Sequence, residues 1–192
     1  DWLRKKGLSA ASKKAGRVAA EGLIGLSVDG VKGAVVEVNS ETDFVARNSQ
    51  FQDFVRNVTH MVLSQGFDSI ETMKNHPYGH GAQRTISEEL THLISIIGEN
   101  INLRRVAILD VPVGRVVGYI HNPVVPGMGK IGVLVGLESR ASSGELDSLG
   151  KQIAMHIAAA KPDALSIEEV DPNKLARETD ILKDQARASG KP

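Results

Sequence analysis

The fold is organised around residues 37–48, which read Glu-Val-Asn-Ser-Glu-Thr-Asp-Phe-Val-Ala-Arg-Asn. The β-branched residues just before this stretch predict a strand, and apolar residues at helical intervals after it predict a helix. Ser49 and Gln52 have the spacing of a capping box at the start of that helix. The polar turn between the two elements carries one large aromatic, Phe44, where a loop ordinarily has Gly, Asn or Ser. An exposed aromatic on a loop that rigid elements hold is a good anchor for a binding partner.

A predicted β-hairpin precedes the stretch, and a long predicted helix follows it. Residues 23–28 and 33–38 are rich in apolar and β-branched side chains, and Asp29-Gly30 between them is a hairpin turn signal. The helix is predicted over residues 49–65 and ends at Gly66, a residue type that commonly stops helices. Its apolar positions share one face, so we expect the helix to pack on the hairpin.

A second helix and a third strand are predicted further along the chain. Thr85 and Glu88 form a capping-box pattern, and apolar residues then recur on one helical face until a Gly stops it. Residues 100–111 predict a strand. Within it, Arg104 and Arg105 should lie on opposite faces, which leaves one of them free to pair with a carboxylate.

An internal repeat predicts a second hairpin followed by a helix. The matching segments are residues 116–120 with residues 23–27, and residues 130–135 with residues 32–36. Ser142 and Glu145 give the second helix a capping box of its own. The connection before that helix reads Glu-Ser-Arg-Ala at residues 138–141, without the aromatic found in the first copy. This difference indicates that the first turn serves function rather than folding.

These patterns predict an α+β protein. We expect two related hairpin–helix units, each a small antiparallel sheet packed against helices, with helical segments at both ends. The predicted divisions are a basic helical linker at residues 1–20, a first core unit at residues 21–111, and a second core unit with a C-terminal helical segment at residues 112–192.

Composition excludes several classes of function. Lys plus Arg equals Asp plus Glu at 23 each, whereas nucleic-acid-binding domains are usually clearly basic. The chain has no Cys, no apolar run of the roughly 18–20 residues that span a membrane, and no signal-peptide pattern. It has no nucleophile elbow, and residues 127–130 (Gly-Met-Gly-Lys) lack the spacing of a phosphate-binding loop. We therefore expect a protein that is not an enzyme, binds no nucleotide directly and needs no cofactor.

Two histidines raise the question of a metal site. His76 and His80 are four residues apart, which suits a metal pair on a helix. Pro77 and Gly79 argue against a helix there, and no third ligand lies nearby in the sequence. We therefore expect a polar surface loop and no bound metal. A metal-dependent hydrolase that also uses His156 is the most distant alternative.

Several motifs, in order along the chain, carry a family resemblance. They are residues 15–22 (Ala-Gly-Arg-Val-Ala-Ala-Glu-Gly), Thr42-Asp43-Phe44-Val45 after Glu-Val-Asn, residues 97–101 (Ile-Gly-Glu-Asn-Ile) with Arg104-Arg105, residues 153–159 (Ile-Ala-Met-His-Ile-Ala-Ala) with Lys161-Pro162, and Ser189-Gly190-Lys191-Pro192. On these residues the chain resembles elongation factor Ts. The resemblance implies a core region that lacks the N-terminal helical domain and the C-terminal end.

The resemblance implies a guanine-nucleotide exchange factor for elongation factor Tu in translation elongation. It implies that Thr42, Asp43, Phe44 and Val45 contact this partner, in its GDP-bound and nucleotide-free forms, and dislocate its Mg²⁺. It also implies a second partner-binding surface at Ile131, Gly132 and His156. The expected location is the bacterial cytoplasm, or an organellar matrix.

The alternative from another class is an RNA- or ribosome-binding module that uses the basic N-terminal segment. Six of the first 17 residues are Lys or Arg. A solvated helix face and linker explains them more simply, and the chain has no aromatic platform for base stacking. Nucleic acid is therefore not the expected partner.

Overall fold

The computed structural model describes residue 9, residues 11–79, residue 81 and residues 83–190. The chain divides into two compact units, Asp1–Ala159 and Ala160–Pro192. The strands are β1 (Glu21–Asp29), β2 (Lys32–Ser40), β3 (Ile101–Asp110), β4 (Gly114–Val125) and β5 (Met128–Glu138). After residue 20, the α-helices are α1 (Ser49–Gln65), α2 (Ile70–Met73), α3 (Ile86–Ile97), α4 (Ser143–Ala160) and α5 (Pro172–Ala188). No helix in the described ranges has the length and apolarity needed to cross a bilayer.

The mixed α+β class is confirmed, but the five strands form one sheet rather than two small ones. All pairs are antiparallel, and the order is β3-β2-β1-β5-β4. The two hairpins join through β1 and β5, at Ile24 opposite Gly129 and Gly25 opposite Met128. Beside this junction the N–H of Leu26 donates to the carbonyl of Gly127 at 2.9 Å. The join satisfies backbone groups that a free β1 edge would leave unpaired.

The β4–β5 hairpin also covers part of the β1–β2 face that points away from α1. A Cβ built on Gly33 of β2 would lie 2.6 Å from Val116 Cγ1 and 2.9 Å from Leu134 Cδ2, although β2 is not a sheet neighbour of β4 or β5. The N–H of Val116 donates to the carbonyl of Gly30 at the tip of the first hairpin, at 3.0 Å. The α1-facing side of β1 and β2 is thereby buried and the opposite side is partly covered, which explains their nearly continuous apolar sequences.

The main core lies between β1–β3 and the helices α1 and α3. Helix α1 spans the residues that the sequence predicts and ends at Gly66, which is left-handed with φ 72°. Its buried side chains repeat at helical intervals along one face; they are Phe51, Phe54, Val55, Val58, Thr59 and Val62. The apolar side chains among them pack with Leu23, Ala34, Val36 and Val38 of the hairpin in one hydrophobic cluster.

The caps of the helices match the predicted capping boxes in two of three cases. The predicted box at Ser49 is wrong: Asn48 caps α1 by accepting from the N–H of Phe51 at 3.1 Å, and Gln52 donates instead to the carbonyl of Ala46. Thr85 and Glu88 form a full capping box at α3. The predicted box of Ser142 with Glu145 is also present at α4, and Asp171 caps α5 just before Pro172.

The two neighbouring arginines of β3 lie against the same carboxylate. The β2–β3 register shifts between Glu37 and Val38, so that Arg105 is opposite Glu37 and Arg104 is the extra residue of a bulge. The Nε atoms of Arg105 and Arg104 lie 2.5 and 3.7 Å from the carboxylate oxygens of Glu37. The expectation of opposite faces is wrong here because a bulge breaks the strict alternation of side chains.

The N-terminal segment is less helical than predicted. Among its described residues, Ser9 and residues 11–14 are helical, and residues 15–20 form a turn and irregular chain. Gly16 is a poor helix residue, and the Asn100 side chain donates to the carbonyl of Arg17 at 2.7 Å. That bond fixes the chain in a non-helical path. The predicted boundaries at residues 20/21 and 111/112 remain predictions.

The second compact unit contains a short 3₁₀ turn, Ile167–Glu169, and helix α5. Lys174 Nζ lies 2.6 Å from Asp163 Oδ1 within this unit. No described residue of α5 is buried, and Leu165, Ile167 and Leu182 are exposed. The sparse apolar pattern of its sequence is in keeping with this exposure.

Candidate functional site: an exposed aromatic on an anchored turn

The turn of residues 42–45, called here the Phe44 turn, has one exposed aromatic between fixed neighbours. The Phe44 side chain is 77% exposed, and Asp43 beside it is also exposed. Val45 is only 5% exposed and belongs to the main hydrophobic cluster. Val45 also begins a 3₁₀ turn, Val45–Arg47, that leads directly into the cap of α1. The chain therefore fixes the residue after Phe44 in the core while Phe44 itself points to solvent.

A glutamate that is distant in sequence fixes the other end of the turn. The N–H of Thr42 donates to Glu99 Oε2 at 2.9 Å, and the Thr42 hydroxyl donates to Glu99 Oε1 at 2.6 Å. The Ser40 hydroxyl donates to the Thr42 carbonyl at 2.9 Å. Thr42 thus uses its backbone N–H, carbonyl and hydroxyl in hydrogen bonds within the protein. Such bonds to an ionised carboxylate are stronger than those between neutral groups.

The neighbouring residues continue the same network. The N–H of Asn100 donates to Glu41 Oε1 at 2.6 Å, and the Arg17 guanidinium lies 3.5 Å from the same oxygen. Three segments that carry the family resemblance, residues 15–22, 42–45 and 97–101, therefore meet at one place. Helix and strand spacing rules do not predict this meeting, because the Thr42–Glu99 and Asn100–Glu41 hydrogen bonds join residues 57 and 59 positions apart.

The residues of the predicted second surface lie on the β4–β5 hairpin and on α4. Ile131 is opposite His121, and Gly132 is opposite Ile120, in the β4–β5 ladder. His156 is exposed on α4. Ile131 and Gly132 also line a groove of about 370 Å³ together with Ile24, Val35, Glu37, Arg105, Val106, Ala107 and Lys130. Lys130 is paired with Glu21 at the edge of this groove.

Gly132 has a packing role that is independent of any partner. A Cβ at this position would lie 2.6 Å from Ile24 Cγ2 and 3.2 Å from Ile120 Cδ1. Real Cβ atoms essentially never come as close as the first of these distances. The absence of a side chain thus allows β5 to cross close to β1.

The predicted histidine pair falls partly outside the described residues. His76 is half-buried, with its Nδ1 at 3.0 Å from the Pro77 carbonyl oxygen, and it packs edge-on against Phe67. His80 lies outside the described residues. Within the described ranges no group of three or more metal-ligating side chains is arranged to hold an ion. Of the basic N-terminal segment, Arg4, Lys5 and Lys6 also lie outside the part that the structure describes.

A single aromatic held out from an anchored turn is typical of a protein that binds another macromolecule. The family model for "Elongation factor TS" matches residues 41–192 of this chain. The chain belongs to the elongation factor Ts family.

Bacterial relatives match the whole chain at high identity. Elongation factor Ts of Rhodospirillum centenum is 60% identical over 192 residues, that of Zymomonas mobilis 58% and that of Sphingopyxis alaskensis 57%. In each case the match covers 100% of this chain and 62% of the relative. The chain thus spans somewhat less than two thirds of the length of these relatives.

Proposed function

We propose that this chain promotes GDP release from elongation factor Tu, and that it acts as a non-enzymatic nucleotide exchange factor in translation elongation. Family membership supports the partner and the activity. The observation that carries the mechanism is the Phe44 turn, which exposes one aromatic ring and one carboxylate between two fixed residues. Because the relatives are bacterial, the proposed place of action is the bacterial cytoplasm.

Phe44 and Asp43 are the proposed primary contacts. Nucleotide in a GTPase is held by close electrostatic contacts with the phosphates and Mg²⁺. An aromatic wedge and a carboxylate inserted beside that site would displace the elements that hold Mg²⁺, and the ion with them. Thr42 and Val45 set the direction of the turn, one through the Glu99 carboxylate and the other through the core.

The energy required argues for a second contact. Full burial of a Phe side chain contributes up to roughly 3 kcal/mol. A thousandfold faster release corresponds to a barrier lowered by about 4 kcal/mol. We propose that Ile131, Gly132 and His156 supply the additional surface. Ile131 and His156 present side chains, whereas Gly132 lets β5 approach β1.

The test is release of a fluorescent GDP analogue from elongation factor Tu, with and without this chain. Phe44→Ala and Asp43→Ala/Phe44→Ala are compared with the wild type. We expect strong acceleration by the wild type and a loss of roughly 3 kcal/mol or less, up to about a hundredfold in rate, in the variants. Neither variant should lose stability by more than about 0.5 kcal/mol, because the side chains are exposed.

Val113→Ala is the matched control, since Val113 is also an exposed apolar residue on a turn. It should accelerate release as the wild type does. Equal acceleration by wild type and the double variant would move the mechanism to the second surface. An absence of both acceleration and binding to nucleotide-free elongation factor Tu would overturn the proposal for this chain.

Binding should also depend on nucleotide in the reverse direction. If the chain lowers the affinity of its partner for GDP, GDP must lower the affinity of the partner for the chain by the same factor. Titration calorimetry should therefore give the tightest binding with nucleotide-free elongation factor Tu. Equal affinities in the presence and absence of GDP would mean that the chain does not lower the affinity of its partner for GDP, which would contradict this coupling.

A further inference from the structure

The β2–β3 ladder continues beyond its last backbone pair by means of two carboxylates. Ser40 opposite Ile101 is the last pair of the ladder. In an antiparallel register, the next pairs would be residue 41 with residue 100 and residue 42 with residue 99. At these positions the Glu41 carboxylate accepts the N–H of Asn100, and the Glu99 carboxylate accepts the N–H of Thr42. In a regular antiparallel ladder only one of two successive pairs exchanges backbone N–H···O bonds, whereas here a carboxylate oxygen accepts an N–H group at both positions.

The use of carboxylate acceptors changes how far apart the two chains lie. A glutamate side chain reaches several ångströms beyond its own backbone, so the strands can diverge while their N–H groups remain paired. Residues 42–45 then turn away from the sheet without leaving a partly buried amide unsatisfied. The geometry explains how a polar turn that begins at the end of a sheet keeps a defined conformation.

Of the two carboxylates, Glu99 acts nearest to the exposed aromatic. It takes both donors of Thr42, which is two residues before Phe44. Glu41 instead divides its Oε1 between the Asn100 N–H and the guanidinium of Arg17. One residue after Phe44, Val45 is fixed in the core. The backbone conformation at Phe44 is thus restricted before this residue by the bonds of Thr42 to Glu99 and after it by the burial of Val45.

We propose that Glu99 is the positioning residue of the Phe44 turn, holding Phe44 outward so that little ordering is required when a partner binds. The inference rests on the proposed exchange function for its role in activity, and on the hydrogen bonds alone for its role in the turn. Ordering a backbone residue costs about 1–2 kcal/mol. A turn that is ordered beforehand avoids this cost at the moment of binding.

The first experiment measures the turn itself, without a partner. Amide hydrogen exchange by NMR is compared for wild type, Glu99→Ala and Glu99→Gln. We expect Glu99→Ala to speed exchange of the Thr42 N–H by about tenfold or more, because a charge-assisted hydrogen bond is lost. The Gln side chain still accepts from the Thr42 N–H, and its amide donates to the Thr42 hydroxyl, which then serves as acceptor. Exchange in Glu99→Gln should therefore stay within about threefold of wild type.

The second experiment is a double-mutant cycle in the GDP-release assay. Glu99→Ala should slow release by about tenfold relative to wild type, and Glu99→Gln should restore most of the rate. In a Phe44→Ala background, Glu99→Ala should change the rate by less than about twofold, because the residue acts through Phe44. A general loss of folded protein would instead lower the rate equally in both backgrounds.

The outcomes separate this inference from the proposed function. If wild type does not accelerate release but the Thr42 N–H loses protection in Glu99→Ala, the exchange function fails and the positioning of the turn stands. Unchanged protection in Glu99→Ala, or equal slowing in both backgrounds of the cycle, would overturn the positioning role. Thermal melts of all variants identify any that simply fail to fold.

Discussion

The two hairpin–helix repeats have the same order of elements but bury their helices to different extents. Helix α1 of the first repeat buries six residues, two of them Phe. Helix α4 of the second repeat is one residue longer, yet it buries only Leu146 and three small residues, Gly150, Ala154 and Ala158. Similar sequence periodicity therefore does not imply similar burial.

The difference has a physical basis in what lies around each helix. Helix α1 packs on the hairpin and shares its core with residues of α3 and with Met73 of α2. Helix α4 approaches β4 closely at Gly150, where a Cβ would lie 2.5 Å from Val117 Cγ2. The connection before α1, which holds Phe44, ends in buried Val45. The corresponding connection before α4 has exposed residues at positions 140–142. The rigid turn thus belongs to the repeat with the larger core.

The largest difference between the two helices is expected when a large buried side chain is removed from each. Phe54 is buried and stacks on Tyr78 with ring centroids 5.6 Å apart. Phe54→Ala should lower the free energy of unfolding by about 4 kcal/mol, and Leu146→Ala by about 2–3 kcal/mol, because the Phe leaves the larger cavity. Urea unfolding monitored by circular dichroism measures both.

Leu149→Ala is the control on α4, since Leu149 is about half exposed. It should change stability by less than about 1 kcal/mol. A loss for Leu146→Ala as large as that for Phe54→Ala would mean that the two helices contribute equally to the core.

Two glycines of the second repeat allow a comparison between a position that is closely packed and a position where an added Cβ would meet no atom. Gly132→Ala places a Cβ against Ile24 Cγ2 and should destabilise the protein by about 1–3 kcal/mol. Gly144→Ala, on α4, meets no atom within 4 Å and should stabilise by about 0.5 kcal/mol. Thermal unfolding of both variants gives the signs. Stabilisation in both would mean that β5 is free to move away from β1.

The smallest expected effect concerns the cap of α4. Hydrogen bonds from the Ser142 hydroxyl, and then from its backbone N–H, hold the pKa of the Glu145 carboxyl below its ordinary value. A depressed pKa means that this stabilisation is fully present above the unfolded pKa of about 4.3 and is lost as pH falls through the folded pKa. Wild type should therefore melt slightly above Glu145→Gln at pH 7, and the difference should shrink as the pH falls below about 4.

Ser142→Ala provides the complementary control. NMR titration should show the Glu145 pKa returning toward its ordinary value when the hydroxyl donor is removed. A melting difference between wild type and Glu145→Gln that does not change with pH would contradict the role of the ionised carboxylate.

Much of the secondary structure follows from local sequence rules. The helix over residues 49–65, its Gly66 stop and the capping box of Thr85 with Glu88 depend on residues a few positions apart. The hairpins depend on alternation and turn residues in the same way. Even so, Asn48 rather than Ser49 caps α1, because Gln52 donates to Ala46 instead of returning to the cap. Asn48 and Ser49 are both suitable capping residues, and the folded geometry around them selects Asn48.

In the candidate site, too, some features can be predicted from local sequence and others cannot. Phe44 stands out in the sequence as an aromatic in a polar turn, and the neighbouring motifs indicate a family. The sequence does not reveal that Glu99 holds Thr42, since 57 residues separate the two. Nor does strand alternation reveal that Arg104 and Arg105 share the Glu37 carboxylate, because a bulge in β3 cannot be read from alternation.

The helices, the hairpins, their repetition and the unusual aromatic can be predicted from the amino-acid sequence, because short-range periodicity, caps and turns encode these features. The folded structure was needed to show that the two hairpins share one sheet, that Gly132 permits a close crossing, and that Glu99 accepts both donors of Thr42 in the Phe44 turn. These features arise from contacts between distant segments, whose partners are chosen when apolar faces are buried and backbone amides must all find acceptors.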